Sequence, residues 1–386
     1  MNKRQLTILI AVLGTIIIAG WAIFFFFMKK PQEQIALPTT IPTTQQEPSS
    51  QPTPLQNTPQ AQFVKLTDDQ VADPVAGAQN VSYFDIKDQL IKVMSLALGA
   101  NQETKLSQTV FENIVDARWA PNRQAILLVG EQYDQRTFFS IDVTQNLQYD
   151  LPDFMENPVW SPDSKQLAFY HWNASAHEAY IATVKADGTG EKKIIAPGLG
   201  DNVRILWPTQ DTLIFYEKPM PLMPLTALFT YSLKTKQLNA LTLPTGESST
   251  YGFEAIASPD GNTLLGQFTT QTGNALSTYS IKGTQMTEIP FQTLVQKCAW
   301  TPDSQSVYCA FPKTWNIGSS MLPFDYWRGI ISNNDSFARI NITTGEFTTF
   351  AEATPYDAIN MSVSPDETFL TFVNRNDLSL YKMRIK

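Results

Sequence analysis

Two cysteines and two histidines are all this 386-residue chain has of the side chains most used for nucleophiles and metal ligands. Two Cys cannot staple a chain this long, so a disulfide-held scaffold is excluded. His171 and His177 offer no spacing from which a Ser-His-Asp set can be drawn. With Glu178 beside His177 they read as loop histidines rather than metal ligands. The G-x-S-x-G elbow, the P-loop and the G-x-G-x-x-G turn are absent. Asp187-Gly188-Thr189-Gly190 lacks the further carboxylates of a calcium loop and reads as a hairpin turn. No metal or cofactor is expected. Positive charge is scarce as well: the net charge is -8, which leaves no basic face for nucleic-acid phosphates. What the chain does have is 23 Phe, 13 Tyr and 8 Trp, enough to bury a large core and to exclude a disordered chain.

Leu6 to Phe27 is an uncharged run of 22 residues after Lys3 and Arg4 and before Lys29 and Lys30. At about 1.5 Å per residue it matches the roughly 30 Å hydrocarbon layer. A cleaved signal peptide is the alternative, but the run is long for one and ends in four Phe, a poor cleavage site. The reading is a cytoplasmic tip at 1–5, a transmembrane helix at 6–27, and the remainder outside the cell membrane, in the periplasm or at the cell surface. Residues 28–61 follow as a disordered Pro/Thr/Gln-rich linker; Pro31 to Ala61 holds seven Pro, seven Gln and six Thr. Such a segment cannot form a core and acts as a tether. From residue 62 to 386 the chain carries 24 Lys/Arg and 34 Asp/Glu, an acidic globule that does not adhere to an anionic membrane.

That globule is repetitive. Trp160-Ser161-Pro162-Asp163 followed by Leu167-Ala168-Phe169 recurs as Trp300-Thr301-Pro302-Asp303 followed by Val307-Tyr308-Cys309. Trp119-Ala120-Pro121-Asn122, Ser258-Pro259-Asp260 and Ser364-Pro365-Asp366 are further copies, and Trp207-Pro208-Thr209 a degenerate one. Each copy is two β-rich segments around a Pro-Asp turn, with a third and a fourth segment after it. Four short antiparallel strands every 40–60 residues make a propeller blade. With a worn blade before Trp119, the pattern predicts an all-β, seven-bladed β-propeller over 62–386, six blades being the alternative. Phe63 to Thr67 is left over as a strand that closes the last blade. The W-S-P-D-x-x-x-L-x-F unit resembles the repeat of TolB-type and other WD-repeat-like propellers, and the propellers of prolyl-oligopeptidase-type peptidases. It also resembles membrane-anchored, uncharacterised propellers. The resemblance implies the fold and is nearly silent on function.

Cys298 and Cys309 flank the Pro302-Asp303 turn symmetrically, so a hairpin makes them cross-strand neighbours able to form a disulfide; two buried thiols are the alternative. Two loops between second and third strands are long: Lys218 to Pro224, and Pro312 to Asp335. Both emerge on one face. Trp172, His177, Met220, Met223, Trp315, Phe324, Tyr326, Trp327 and Arg328 belong to that face and are the candidate partner-binding residues. Either they stand in solvent, or the 312–335 loop folds back on the disc. The sequence therefore predicts a membrane-tethered, non-catalytic scaffold binding a protein, a peptide or an envelope glycan. The alternatives are a structural cell-surface spacer, or a propeller hydrolase or lyase using acids such as Asp134, Glu156 or Asp335.

Overall fold

The chain enters the fold on β1 (Phe63–Lys65) and then makes four strands per blade, seven times. Blade 1 is β2 (Val71–Ala76), β3 (Asn80–Asp85), β4 (Leu90–Ser95) and β5 (Glu103–Lys105). Blade 2 is β6 (Ile114–Trp119), β7 (Ala125–Gln132), β8 (Gln135–Asp142) and β9 (Leu147–Leu151). Blade 3 is β10 (Glu156–Trp160), β11 (Gln166–Asn173), β12 (Glu178–Lys185) and β13 (Lys192–Ile195). Blade 4 is β14 (Val203–Leu206), β15 (Thr212–Glu217), β16 (Leu228–Ser232) and β17 (Leu238–Leu241). Blade 5 is β18 (Tyr251–Ala257), β19 (Thr263–Thr270), β20 (Gly273–Ser280) and β21 (Gln285–Glu288). Blade 6 is β22 (Cys298–Trp300), β23 (Ser306–Pro312), β24 (Asp335–Asn341) and β25 (Phe347–Ala351). Blade 7 is β26 (Ala358–Val363), β27 (Phe369–Asn374) and β28 (Ser379–Arg384), with β1 paired to β28 as its fourth strand. The computed structural model describes residues 63–97, 102–133, 135–218, 227–241, 251–270, 273–282, 285–315 and 322–386. The fold is thus a seven-bladed propeller, and the six-bladed alternative is set aside. No helix among the described residues is long and apolar enough to cross a membrane; residues 6–27 and the linker lie outside them.

The Ser/Thr-Pro-Asp repeat is explained by its turn. The hydroxyl of Ser161 donates to Asp163 Oδ1 at 2.7 Å, and that of Thr301 to Asp303 Oδ1 at 2.6 Å. The same oxygens accept the backbone N–H that opens the next strand, Gln166 onto Ser161 and Ser306 onto Thr301, both at 3.0 Å. The residue after the acid turns left-handed, with φ of 62° at Ser164 and 61° at Ser304. Those two serines also bolt neighbouring blades together: Ser164 Oγ accepts from Asn122 N–H and Ser304 Oγ from Asp260 N–H, each at 3.0 Å.

A blade buries both faces, so the core lies between blades. Seven apolar clusters of described residues occupy seven blade-to-blade interfaces. Between blades 2 and 3, for example, Leu127, Val129 and Phe138 meet Trp160, Leu167 and Phe169. Trp160 also donates its indole N–H back to Arg118 O of blade 2 at 2.9 Å. Cys298 lies directly opposite Cys309 in the β22–β23 ladder, and a disulfide joins them.

Strand direction fixes which face is which. The Pro-Asp turns line one face, here the turn face. The loops between second and third strands and the links between blades line the other, the loop face. Phe63 pairs with Met383, near the end of β28, and Lys65 with Tyr381. β1 therefore starts at the turn face.

The turn hydrogen bonds have a measurable signature. The Ser364 and Thr368 hydroxyls hold the Asp366 carboxyl down at about 2, and the Thr301 hydroxyl holds Asp303 below the ordinary range. A lowered folded value stabilises the fold above the unfolded value near 4, and that stability is lost as pH falls toward 2. Asp303→Asn and Asp366→Asn are expected to lower Tm at pH 7, with the gap to the parent closing below about pH 3. A gap independent of pH would contradict this account of the turn.

Candidate functional site

The inner strands of the seven blades surround a central cavity of about 870 Å³. Five of these strands carry a register shift. Asp73, Asn157, Gly252 and Asn360 sit at four of the shifts with left-handed φ of 44°, 47°, 62° and 49°. Asn, Asp and Gly tolerate that conformation best, and a bulge re-aims its side chain. Asp73 Oδ2 reaches blade 2 and accepts from Trp119 N–H at 2.6 Å; Asn157 Nδ2 reaches blade 4 and donates to Val203 O at 2.9 Å.

At the loop face the cavity narrows to a mouth between blades 4, 5 and 6. Glu254, its side chain 9% exposed, is the centre. The Tyr216 hydroxyl donates to its Oε2 at 3.1 Å, and Arg204 Nε lies 3.5 Å from the same oxygen. Lys218 Nζ is 3.8 Å from Oε1, an ion-pair distance and too long for a hydrogen bond. Oε1 has no hydrogen-bond partner among the described residues. Burial pushes the Lys218 ammonium below the ordinary lysine range; Glu254 opposes that shift and Arg204 adds to it. Burial and the Glu254 charge together keep the Tyr216 phenol protonated. Trp327 closes one side of the mouth, its indole N–H donating to Gln296 Oε1 at 3.1 Å and its ring 4.8 Å from Lys218 Nζ.

Beside the mouth, a second cleft of about 650 Å³ lies between the upper ends of blades 2, 3 and 4. Glu131, Asp153, Glu156 and Asp201 line it with Arg136 and Trp172. Burial, and then repulsion from Asp201, raises the Glu156 carboxyl.

The described part of the 312–335 loop, residues 312–315 and 322–335, folds back onto the disc. Its short helix α1 (Phe324–Trp327) carries Tyr326, which is fully buried with Leu294, Leu322 and Ile331. The Tyr326 hydroxyl donates to Asp357 Oδ1 at 2.6 Å. Lys297, with no exposed surface, bonds Asp357 Oδ1 and Asp335 Oδ2, the latter at 2.7 Å. Arg375 stacks on the Tyr326 ring at 4.3 Å and bonds the Tyr326 carbonyl. Burial pushes the Asp335 carboxyl up to about 6 against the pull of Lys297. On the blade 5 side, Thr269 donates to Leu322 O at 2.6 Å, and a Cβ on Gly252 would meet Pro323 Cδ at 2.4 Å, so Gly there admits the loop.

The predicted partner-binding residues therefore separate. Tyr326 is a packing residue, because a side chain without exposed surface cannot touch a partner. Asp335 belongs to the same buried network and does not line the channel. Trp315 is half-buried, bonded to Gln292 O at 3.1 Å, and Phe324 is half-buried edge-on to Trp327. Trp327 forms the wall of the mouth and Trp172 a wall of the cleft. His177 and Arg328 are exposed on the loop face, while His171 packs between Phe154 and Tyr180. Met220, Met223 and Asp134 lie outside the described residues. Sequence reasoning missed Arg204, Tyr216, Lys218, Glu254 and Gln296. The signal was there in part: Arg204 and Glu254 interrupt the apolar runs Val203–Leu206 and Phe253–Ile256 of inner strands.

Among the described residues, one acidic group is close enough to hold a cation, Asp69, Asp85 and Asp88. Lys87 and Lys92 already pair with all three, with Nζ–O distances of 2.8 Å to Asp69, 2.7 Å to Asp85 and 2.6 Å to Asp88.

No protein-family model matches the chain, and no curated protein does. Solved structures do. An oligogalacturonate lyase in complex with manganese is similar at a TM-score of 0.62 and 14% identity, over 84% of this chain and 93% of that one. An uncharacterised protein from Listeria monocytogenes reaches 0.55 and 12%, over 83% and 96%. TolB from Acinetobacter baumannii reaches 0.45 and 11%, over 82% of this chain and 64% of TolB, so the chain spans a little under two thirds of that protein. At these identities the likeness shows the fold alone.

The clamp on the loop is testable. Lys297→Met leaves two buried carboxylates without their cation and is expected to cost about 3–5 kcal/mol. Tyr326→Phe removes one buried donor and is expected to cost about 1–3 kcal/mol. Urea unfolding monitored by tryptophan fluorescence reads both; a near-zero effect of Lys297→Met would refute the clamp.

Proposed function

We propose that this chain is a membrane-tethered, extracytoplasmic propeller that binds a protein, peptide or envelope polymer without catalysis, and that its ligand sits over the channel mouth. The observation that carries the reading is the mouth itself. A cavity of about 870 Å³, within the usual range of ligand sites, opens past a nine-tenths-buried carboxylate and two half-buried cations on the loop face. Leu6 to Phe27 is the anchor in this reading and residues 28–61 are its linker. The aromatic loop contributes a wall, Trp327, rather than a set of free anchors. A spacer role would need no such polar mouth.

A hydrolase or lyase reading keeps one observation in its favour, the raised Glu156 beside Asp201 in the second cleft. Under the binding reading, Glu156→Gln leaves partner binding unchanged.

The test is site-specific crosslinking on the full chain in its membrane. A photo-crosslinking amino acid in place of exposed Arg328, on the mouth rim, is expected to form discrete adducts. The same amino acid in place of exposed Asn122, on the turn face, is expected to form none. Adducts from position 122 alone, or from neither, would overturn the reading.

A further inference from the structure

We propose that the mouth captures the C-terminal end of a peptide, by its carboxylate and its last backbone N–H. This rests on the reading that the mouth is the binding site, and it names the ligand chemistry.

The mouth holds unused hydrogen-bonding capacity. Facing the mouth, Lys218 Nζ, the terminal nitrogens of Arg204 and Gln296 Nε2 are donors with no hydrogen bond to another described residue. One acceptor is left over, Glu254 Oε1, buried and without a hydrogen-bond partner among the described residues. Two cations against one carboxylate give the mouth a local excess of positive charge, in a cavity whose whole lining balances Asp73, Asp116 and Glu254 against Arg118, Arg204 and Lys218. The complementary ligand is an anion with several acceptor oxygens and one N–H or O–H donor close by. Leaving any of these groups unpaired in a buried site costs binding, so the match is selective.

Spacing narrows the choice. Lys218 Nζ and Glu254 Oε1 are 3.8 Å apart. In the last residue of a peptide, the carboxylate oxygens lie roughly 3 Å from that residue's own nitrogen, across three bonds and two bond angles. One residue can therefore place its carboxylate on Lys218 and Arg204 and its N–H on Glu254. Below the mouth the cavity wall offers apolar side chains, Val159, Ile205 and Ile359, among polar ones such as Asp116, Arg118 and Asn360. An apolar side chain on the terminal residue points there, while the preceding residues leave past Trp327. C-terminal carboxylate capture is a recurring mode of peptide recognition.

The experiment uses the full chain in detergent micelles, immobilised, with three probes: a pool of N-acetylated tetrapeptides with free C-termini, the same pool amidated, and trigalacturonate. Mass spectrometry reads what is retained. Free-acid members are expected to be enriched about tenfold or more over their amides, the loss of one charge-assisted contact. Lys218→Met is expected to abolish that preference and Lys218→Arg to keep it, with unchanged Tm in both. Equal retention of acids and amides overturns the proposal. So does retention of neither pool, and so does retention of an acidic trisaccharide such as trigalacturonate in place of the peptides. If the pools fail while crosslinking from position 328 persists, the peptide inference falls and the mouth remains the site. If both fail, the mouth is not the site.

Discussion

Closing a ring of seven sheets is the constraint on which the rest of this structure depends. Each sheet buries both faces against its neighbours, so no blade is stable alone, and the last must be complete for the first to have a partner. β1 supplies that completion by pairing with β28. Phe63 then packs against Phe337, Tyr356 and Phe372, which ties the start of the fold into the joint between blades 6 and 7. Once the ring closes, the inner strands crowd around a common axis. The bulges at Asp73, Asn157, Gly252 and Asn360 are where that crowding is accommodated, and the Asp73 and Asn157 side chains there bond the neighbouring blade.

The blade count was legible because each blade repeats one local device. A hydroxyl, a proline and an acid in sequence make a turn that depends on neighbours two to five residues away, and local chemistry is what a sequence displays. Cys298 opposite Cys309 was legible for the same reason, since a short hairpin fixes its own register. The mouth was not legible. Arg204 and Lys218 belong to blade 4, Glu254 to blade 5 and Gln296 to the link between blades 5 and 6, and only the packing of these neighbouring blades brings them together. The large aromatics of the 312–335 loop left two arrangements open. A loop rich in Trp, Tyr and Phe carries the same signature whether it meets a partner or packs on its own domain. What decides is Lys297, which precedes an inner strand and carries no local hint of a partner 60 residues away.

That lysine shapes the loop face. Its charge is compensated by Asp335 and Asp357, and Tyr326 shares Asp357 with it. A buried pair of this kind is weak evidence for net stability, but breaking it is costly, so it selects one arrangement over others. Here the selected arrangement lays the loop from Thr269 on blade 5 to Arg375 on blade 7. Trp327 is thereby fixed beside Lys218. A preorganised wall loses little freedom on binding, which favours recognition by a few well-placed polar groups.

The central claim is that the loop face is a fixed platform around a polar mouth. Hydrogen exchange of residues 322–331 in the free protein tests it most directly. The amides of Trp327, Arg328, Gly329 and Ile330 are all bonded within the segment, at 2.9–3.0 Å. The account predicts that they exchange on the order of a hundredfold or more below the rate of an open chain, in step with the blade 6 and blade 7 strands. Exchange within about tenfold of the open-chain rate would mean that the aromatic loop is free, and that recognition belongs to it rather than to the mouth.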